Sequence, residues 1–278
     1  MIVARPPLVC PFNTLRAVIA LITGASSGIG EATARRVARE PDAHLILLAR
    51  REERLRALAD ELGGATVIAE DLTAEGAPAR VAEAVEREHG RLDLLVNNAG
   101  AGWRGRFGDR GWENVERHMK LNFEAAVQLT EALLPILRRS APSAIVNVSS
   151  TAGRIGRANT GGYSASKFAL AGWSDSLHAE EHEHGVHVGL VLPGFVATEG
   201  FPQRELRDRA VTRWLVTEPE KVGEAILDAG PGGKAERFVP RAYWLASATR
   251  MLAPRVLRRA LAGGGAALTP ATGSDSRS

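Results

Sequence analysis

Short, dominantly apolar runs recur along the chain, each followed by a longer stretch of helical period. Residues 17–23 (AVIALIT), 44–49 (HLILLA), 66–69, 92–96 (LDLLV), 144–148 (AIVNV) and 186–192 (VHVGLVL) read as strands. A strand with one wet face alternates polar and apolar residues, whereas these are nearly continuous and must be covered on both faces. Between them, residues 24–39, 52–62, 78–89, 112–137 and 163–184 read as helices, several ending at glycine. The long stretch 112–137 is expected to bend before Pro135. Buried strands alternating with helices specify an α/β fold: a doubly wound, mostly parallel sheet with helices on both faces, of the Rossmann type.

No linker or internal repeat divides the pattern, so one domain over 17–242 is expected. It would carry a lid at 195–216, where the sequence turns polar and arginine-rich. The lead-in 1–16 lacks a continuous apolar segment and a cleavage site, and reads as neither signal nor anchor. A basic helix is expected over 243–262, and a Gly/Ser/Thr-rich tail over 263–278. Net charge is only +3, which argues against a nucleic-acid partner. The single cysteine, Cys10, excludes an internal disulfide framework, and cytoplasm is the expected compartment.

The first strand runs into Thr23-Gly24-Ala25-Ser26-Ser27-Gly28-Ile29-Gly30. A glycine-rich turn between strand and helix lets backbone approach a phosphate, and the helix N-terminus offers unpaired N–H groups to it. About 20 residues on, at the end of the second strand, a dinucleotide fold reads the adenosine ribose. An acid there would suit a free 2′-hydroxyl, but this chain has Arg50-Arg51, which favours NADP(H) over NAD(H). Solvated charge is the alternative for both arginines, although cations at a helix start oppose the dipole. Asp71-Leu72 is placed to meet an adenine edge, or Asp71 caps a turn before Thr73. Asn98, Ala99 and Gly100 close the fourth strand and would let backbone approach a cofactor, or form an ordinary strand-end turn. Tyr163 and Lys167, at i and i+4 of a helix, share a face.

Taken together, TGASSGIG (23–30), NNAG (97–100), Asn122, Ser150 in NVSSTAG, Tyr163-x-x-x-Lys167 and PGFVAT (193–198) resemble, in order and spacing, the short-chain dehydrogenase/reductase family, single-domain type. The resemblance covers roughly 17–240. It implies hydride transfer between a nicotinamide cofactor and a small-molecule carbonyl or alcohol. Tyr163 would be the general acid/base, with Lys167 lowering its pKa and binding the nicotinamide ribose. Ser150 would orient the carbonyl, and Asn122 would bend its helix and hold a relay water. The cofactor would lie along Gly24, Ser26, Ser27, Gly28, Ile29, Gly30, Asn98, Ala99, Gly100, Pro193 and Gly194. Thr198 and the backbone near Val196 would hold the carboxamide. The resemblance also implies a homodimer or homotetramer. The competing reading is an NADP(H)-binding sensor or scaffold without turnover.

Four further features were weighed. His178 and His182 have zinc-pair spacing, but no third ligand follows in register, so no metal is expected. Trp103, Phe107, Phe195 and Trp214 could wall a substrate site or simply pack. Arg154, Arg157, Arg204, Arg207 and Arg213 could receive a substrate anion or pair with nearby acids. In 243–263, Trp244, Leu245, Ala248, Leu252, Val256 and Leu257 form an apolar face beside four arginines, with a kink expected at Pro254. Packing on the subunit or a partner is the first expectation, and an anionic membrane surface is the second.

Overall fold

The computed structural model describes residues 17–199 and 216–264. Nine strands occur among them: β1 (Ile19–Thr23), β2 (His44–Ala49), β3 (Thr66–Ala69), β4 (Leu94–Asn97), β5 (Ser143–Val148), β6 (Val186–Pro193), β7 (Phe195–Val196), β8 (Val216–Thr217) and β9 (Glu236–Val239). Seven form one sheet in the order β3-β2-β1-β4-β5-β6-β9, with every pair parallel. The helices are α1 (Gly28–Val37), α2 (Glu52–Glu61), α3 (Ala77–His89), α4 (Phe107–Met119), α5 (Ala125–Arg139), α6 (Gly161–Glu181), α7 (Pro219–Ala229), α8 (Tyr243–Leu252) and α9 (Pro254–Gly264).

The pleat explains the two cores. Alternate residues of a strand point to opposite faces. Ala20 and Ile22 of β1 join Val37, Leu55 and Ile226 from α1, α2 and α7. Ile19 and Leu21 join Val81, Leu129 and Leu177 from α3, α5 and α6. Strand order reverses between β1 and β4, so a crevice opens beyond their carboxyl ends, where this class of sheet binds ligands.

The structure departs from the sequence expectations at five places. β4 starts at Leu94 rather than at 92, because the Asp93 carboxylate accepts from Ile19 N at 2.8 Å and from Arg91 Nε at 2.8 Å. The long helical stretch is not bent at Pro135, which lies inside α5; a widened π turn at Lys120–Glu124 separates α4 from α5. α7 and β9 had no counterpart in the apolar pattern, and β9 (ERFV) is a short edge strand with two charged residues. Pro254 does not kink one helix. It opens a second one after Ala253 breaks α8, as suits a residue lacking an N–H. β7 and β8 pair in parallel, Phe195 opposite Val216. The bulk of the expected lid, with Arg204, Arg207, Arg213 and Trp214, lies outside the described residues, as do the lead-in and residues 265–278 of the tail.

Candidate active site

The glycine turn sits at the crevice. Gly24 and Gly28 have φ of +68° and +59°, conformations that glycine adopts without strain. A Cβ on Gly30 would lie 2.3 Å from Gly24 O and 2.7 Å from Asn98 Nδ2. Thr23 locks this turn to the end of β4: its Oγ1 accepts from Asn98 N and Ala99 N, both at 2.9 Å, and donates to Val96 O. Asn98 Nδ2 donates back to Thr23 O at 2.9 Å. Ser27 precedes α1 in extended conformation and makes no side-chain cap. The first-turn N–H groups, including that of Ile29, therefore have no side-chain acceptor at the cap. This cradle of bare backbone and uncapped donors fits a dinucleotide phosphate.

Around the cradle, Arg51 Nη2 donates to Ser27 Oγ at 2.7 Å and to Ser26 Oγ at 3.0 Å. Arg50 is exposed, its Nη1 3.9 Å from Asp71 Oδ2. Asp71 takes the turn-capping role: its Oδ1 accepts from Thr73 N at 2.9 Å and Thr73 Oγ1 at 2.7 Å. Leu72 is buried in the core. Thr198 is brought over the turn from 170 positions away; a Cβ on Gly28 would meet its Cγ2 at 3.0 Å. Pro193 ends β6, Val196 is buried in β7, and Gly194 lies against the Tyr243 ring.

Beyond the carboxyl ends of β4 and β5, four side chains converge. Asn122, buried in the π turn, accepts from Ala101 N at 2.9 Å and donates to Ala101 O at 3.0 Å and Ser166 Oγ at 3.1 Å. Lys167 is buried, and its Nζ donates to Val148 O at 2.9 Å. A Cβ on Gly100 would lie 3.0 Å from Asn122 Oδ1 and 3.4 Å from Lys167 Nζ, so only bare backbone passes between them and the crevice. Ser150 Oγ accepts from Ala152 N at 3.1 Å and donates to Pro193 O at 3.3 Å. Ser149 is committed elsewhere, donating to Lys167 O at 2.8 Å.

The electrostatics of Tyr163 differ from expectation. Burial pushes the phenol above its ordinary pKa, and the groups that oppose this are the Ser150 hydroxyl and the guanidiniums of Arg157 and Arg104. Lys167 is not among them: its Nζ is 6.0 Å from the Tyr163 ring centroid and is turned to Val148 O. Burial pulls Lys167 itself down to about 8. Arg157, of the candidate anion-binding arginines, lies over the Phe195 ring at 4.9 Å; Arg154 instead pairs with Glu236.

Sequence reasoning missed Thr23, Arg104 and His118. His118 is fully buried; its Nε2 accepts from Trp103 N at 2.9 Å, so Nδ1 carries the proton toward Asn114 O at 2.6 Å. Its ring meets Tyr163 edge-on at 6.1 Å. A single histidine in a polar helix gives no signal for such a role. Of the expected wall, Trp103 meets His118 edge-on with ring centres 5.0 Å apart and lies beneath Arg117, whereas Phe107 is 70% exposed. His187 Nε2 pairs with Ala229 O, and its ring packs on His178.

Known proteins are similar to this chain in sequence and fold. The short chain dehydrogenase family matches residues 18–208. The chain is 36% identical over 176 residues to a 3-ketodihydrosphingosine reductase of Bacteroides thetaiotaomicron, covering 63% of each chain. It is 40% identical over 185 residues to oxidoreductase UcpA of Salmonella typhimurium, covering 64% of this chain and 69% of that one. It is 34% identical to dehydrogenase/reductase SDR family member 7B of Bos taurus, covering 66% of this chain and 59% of that protein. The matches thus span about three fifths of the first curated relatives. A solved short-chain dehydrogenase from Streptomyces avermitilis superposes with TM-score 0.73 at 30% identity, over 88% of this chain and 99% of that one.

Proposed function

The chain belongs to the short chain dehydrogenase family, and from that premise we propose that it interconverts a small-molecule carbonyl and its alcohol, with Tyr163 as general acid/base and NADP(H) as cofactor. The observation that supports this most is the convergence of Tyr163, Ser150, Lys167 and Asn122 beside the glycine cradle. They come from α6, the turn after β5 and the π turn. The bound nicotinamide would supply the hydride.

The residues divide the remaining work. The Tyr163 hydroxyl, kept protonated by burial, gives its proton to the carbonyl oxygen as that oxygen gains charge. Ser150 donates a second hydrogen bond to the same oxygen, exchanging Pro193 O for the substrate. Lys167, adjacent to the bare backbone of Gly100, holds the ribose hydroxyls, and Asn122 fixes the loop 99–101 against α6. Arg157 and Arg104 stabilise the phenolate left behind, a role assigned from their opposing influence on the phenol.

The choice of NADP(H) rests on Arg50 and Arg51 beyond β2. Arg51 donates to Ser26 and Ser27 of the turn, and the exposed Arg50, only 3.9 Å from Asp71 Oδ2, would pair with a 2′-phosphate. A homo-oligomer is the expected state.

Tyr163→Phe tests the reading. Turnover of reducible carbonyls should fall roughly 100- to 10,000-fold, the usual contribution of a positioned proton donor, while NADPH titration of the same protein is unchanged. Retained turnover would remove Tyr163 from its role. A wild-type protein that binds NADPH tightly but reduces no carbonyl compound would favour the sensor reading.

A further inference from the structure

α8 carries an apolar stripe that faces outward. Trp244 and Leu245 are 53% and 56% exposed, and Met251 and Leu252, seven positions on, are 81% and 85% exposed. At helical period, 244, 245, 248, 251 and 252 share one face. An amphipathic helix normally buries that face. Here the fold grips α8 elsewhere: Tyr243 packs on Gly194, and the Arg250 guanidinium lies 4.7 Å over the Phe168 ring. In α9, Leu257 and Leu261 turn inward to a cavity of about 480 Å³ shared with Ile155. Val256 is 63% exposed, and Arg255, Arg258 and Arg259 are exposed, Arg258 at the rim of the same cavity.

Charge decides what covers this face. Residues 241–264 contain five arginines (241, 250, 255, 258 and 259) and no Asp or Glu. A second copy seated face to face would set Arg255, Arg258 and Arg259 against their own counterparts, with no acid within 241–264 on either side to pair them. No helix among the described residues is long and apolar enough to cross a bilayer. What accepts both exposed large apolar side chains and arginines without an ion pair among the described residues is the headgroup–acyl boundary of an anionic bilayer. We propose that the α8–α9 cap docks this protein on an anionic phospholipid surface, with Trp244, Leu245, Met251 and Leu252 inserted and Arg255, Arg258 and Arg259 against lipid phosphates. The proposal rests on this surface alone and not on the proposed reaction.

Co-sedimentation of the full chain with vesicles tests it without any turnover. Binding is expected to equimolar phosphatidylglycerol and phosphatidylcholine, to weaken as salt rises, and to be much poorer to phosphatidylcholine alone. Each guanidinium near such a surface contributes about fivefold, so Arg255→Gln, Arg258→Gln and Arg259→Gln together should lower partitioning roughly 100-fold. Met251→Ser with Leu252→Ser should lower it roughly 100-fold. All five positions are exposed, and an unchanged circular dichroism spectrum and NADPH titration would establish that the variants fold. Absence of wild-type binding to the anionic vesicles would overturn the proposal, as would full binding by either variant. So would a Met251→Ser, Leu252→Ser protein that changes its sedimentation velocity from oligomer to monomer while vesicle binding stays as it was, because the stripe would then be an interface between copies.

Discussion

The two halves of the crevice are built by different means. On the β1–β2 side the working parts are backbone: two positive-φ glycines, a third with no room for a Cβ, and the uncapped start of α1. On the β4–β5 side they are side chains, buried and cross-linked, such as Asn122 bonded to Ala101 and to Ser166, 44 positions away. The first half tolerates no added atoms, and the second tolerates no missing ones. A ligand held by backbone needs shape, whereas a proton transferred by a side chain needs that group's charge and position set by its neighbours.

The contrast can be broken most severely at Gly30. Gly30→Ala places a methyl group 2.3 Å from a backbone oxygen, and neither partner can swing away. A loss of about 3 kcal/mol is expected in urea unfolding, together with weakened NADPH binding. A wild-type midpoint would mean that the turn has slack and the backbone half is not shape-limited. Arg50→Asp sharpens the same half. NADPH affinity should fall about tenfold to 100-fold by titration, the scale of a lost charge-assisted bond plus repulsion, with NADH affected far less. Equal effects would place the phosphate elsewhere.

The smallest effect concerns the side-chain half and is one of pH. Burial lowers Lys167 to about 8, so kcat/KM for carbonyl reduction should be level through neutral pH. Above about 8 it should fall by about tenfold per unit as the ammonium is lost. The sign for stability is opposite. Between about 8 and the ordinary lysine value near ~10.4, the unfolded chain holds a proton that the folded chain has released. Stability relative to Lys167→Met should therefore rise with pH across that window. Activity that stays level well above pH 8, with no rise in relative stability across the window, would mean that Lys167 titrates higher than its burial implies.

Much of this was legible in residue order. Apolar continuity gave six of the seven main-sheet strands, and the glycine turn, set between a strand and a helix, pointed to a phosphate, because such a cradle is a local device. Tyr163, Ser150, Lys167 and Asn122 were reachable through their order and spacing as a resembling set. The bend was not: Pro135 carried the stronger local signal, yet the turn widened at 120–124, where Asn122 has partners outside the helix. β9 was hidden because an edge strand may keep its charges in water.

By itself, the sequence determined which segments must be buried on both faces, where backbone must stay bare, and which residue types could move a proton. Tertiary structure alone decided what surrounds Tyr163, since the edge of the His118 ring reaches it from α4, 45 positions away, and Lys167, one helical turn on, donates to Val148 O. It also decided that the apolar stripe of α8 faces outward. Periodicity tells which residues share a face, but the direction of that face is set by what the rest of the chain packs against, and such contacts join positions too far apart for spacing to record.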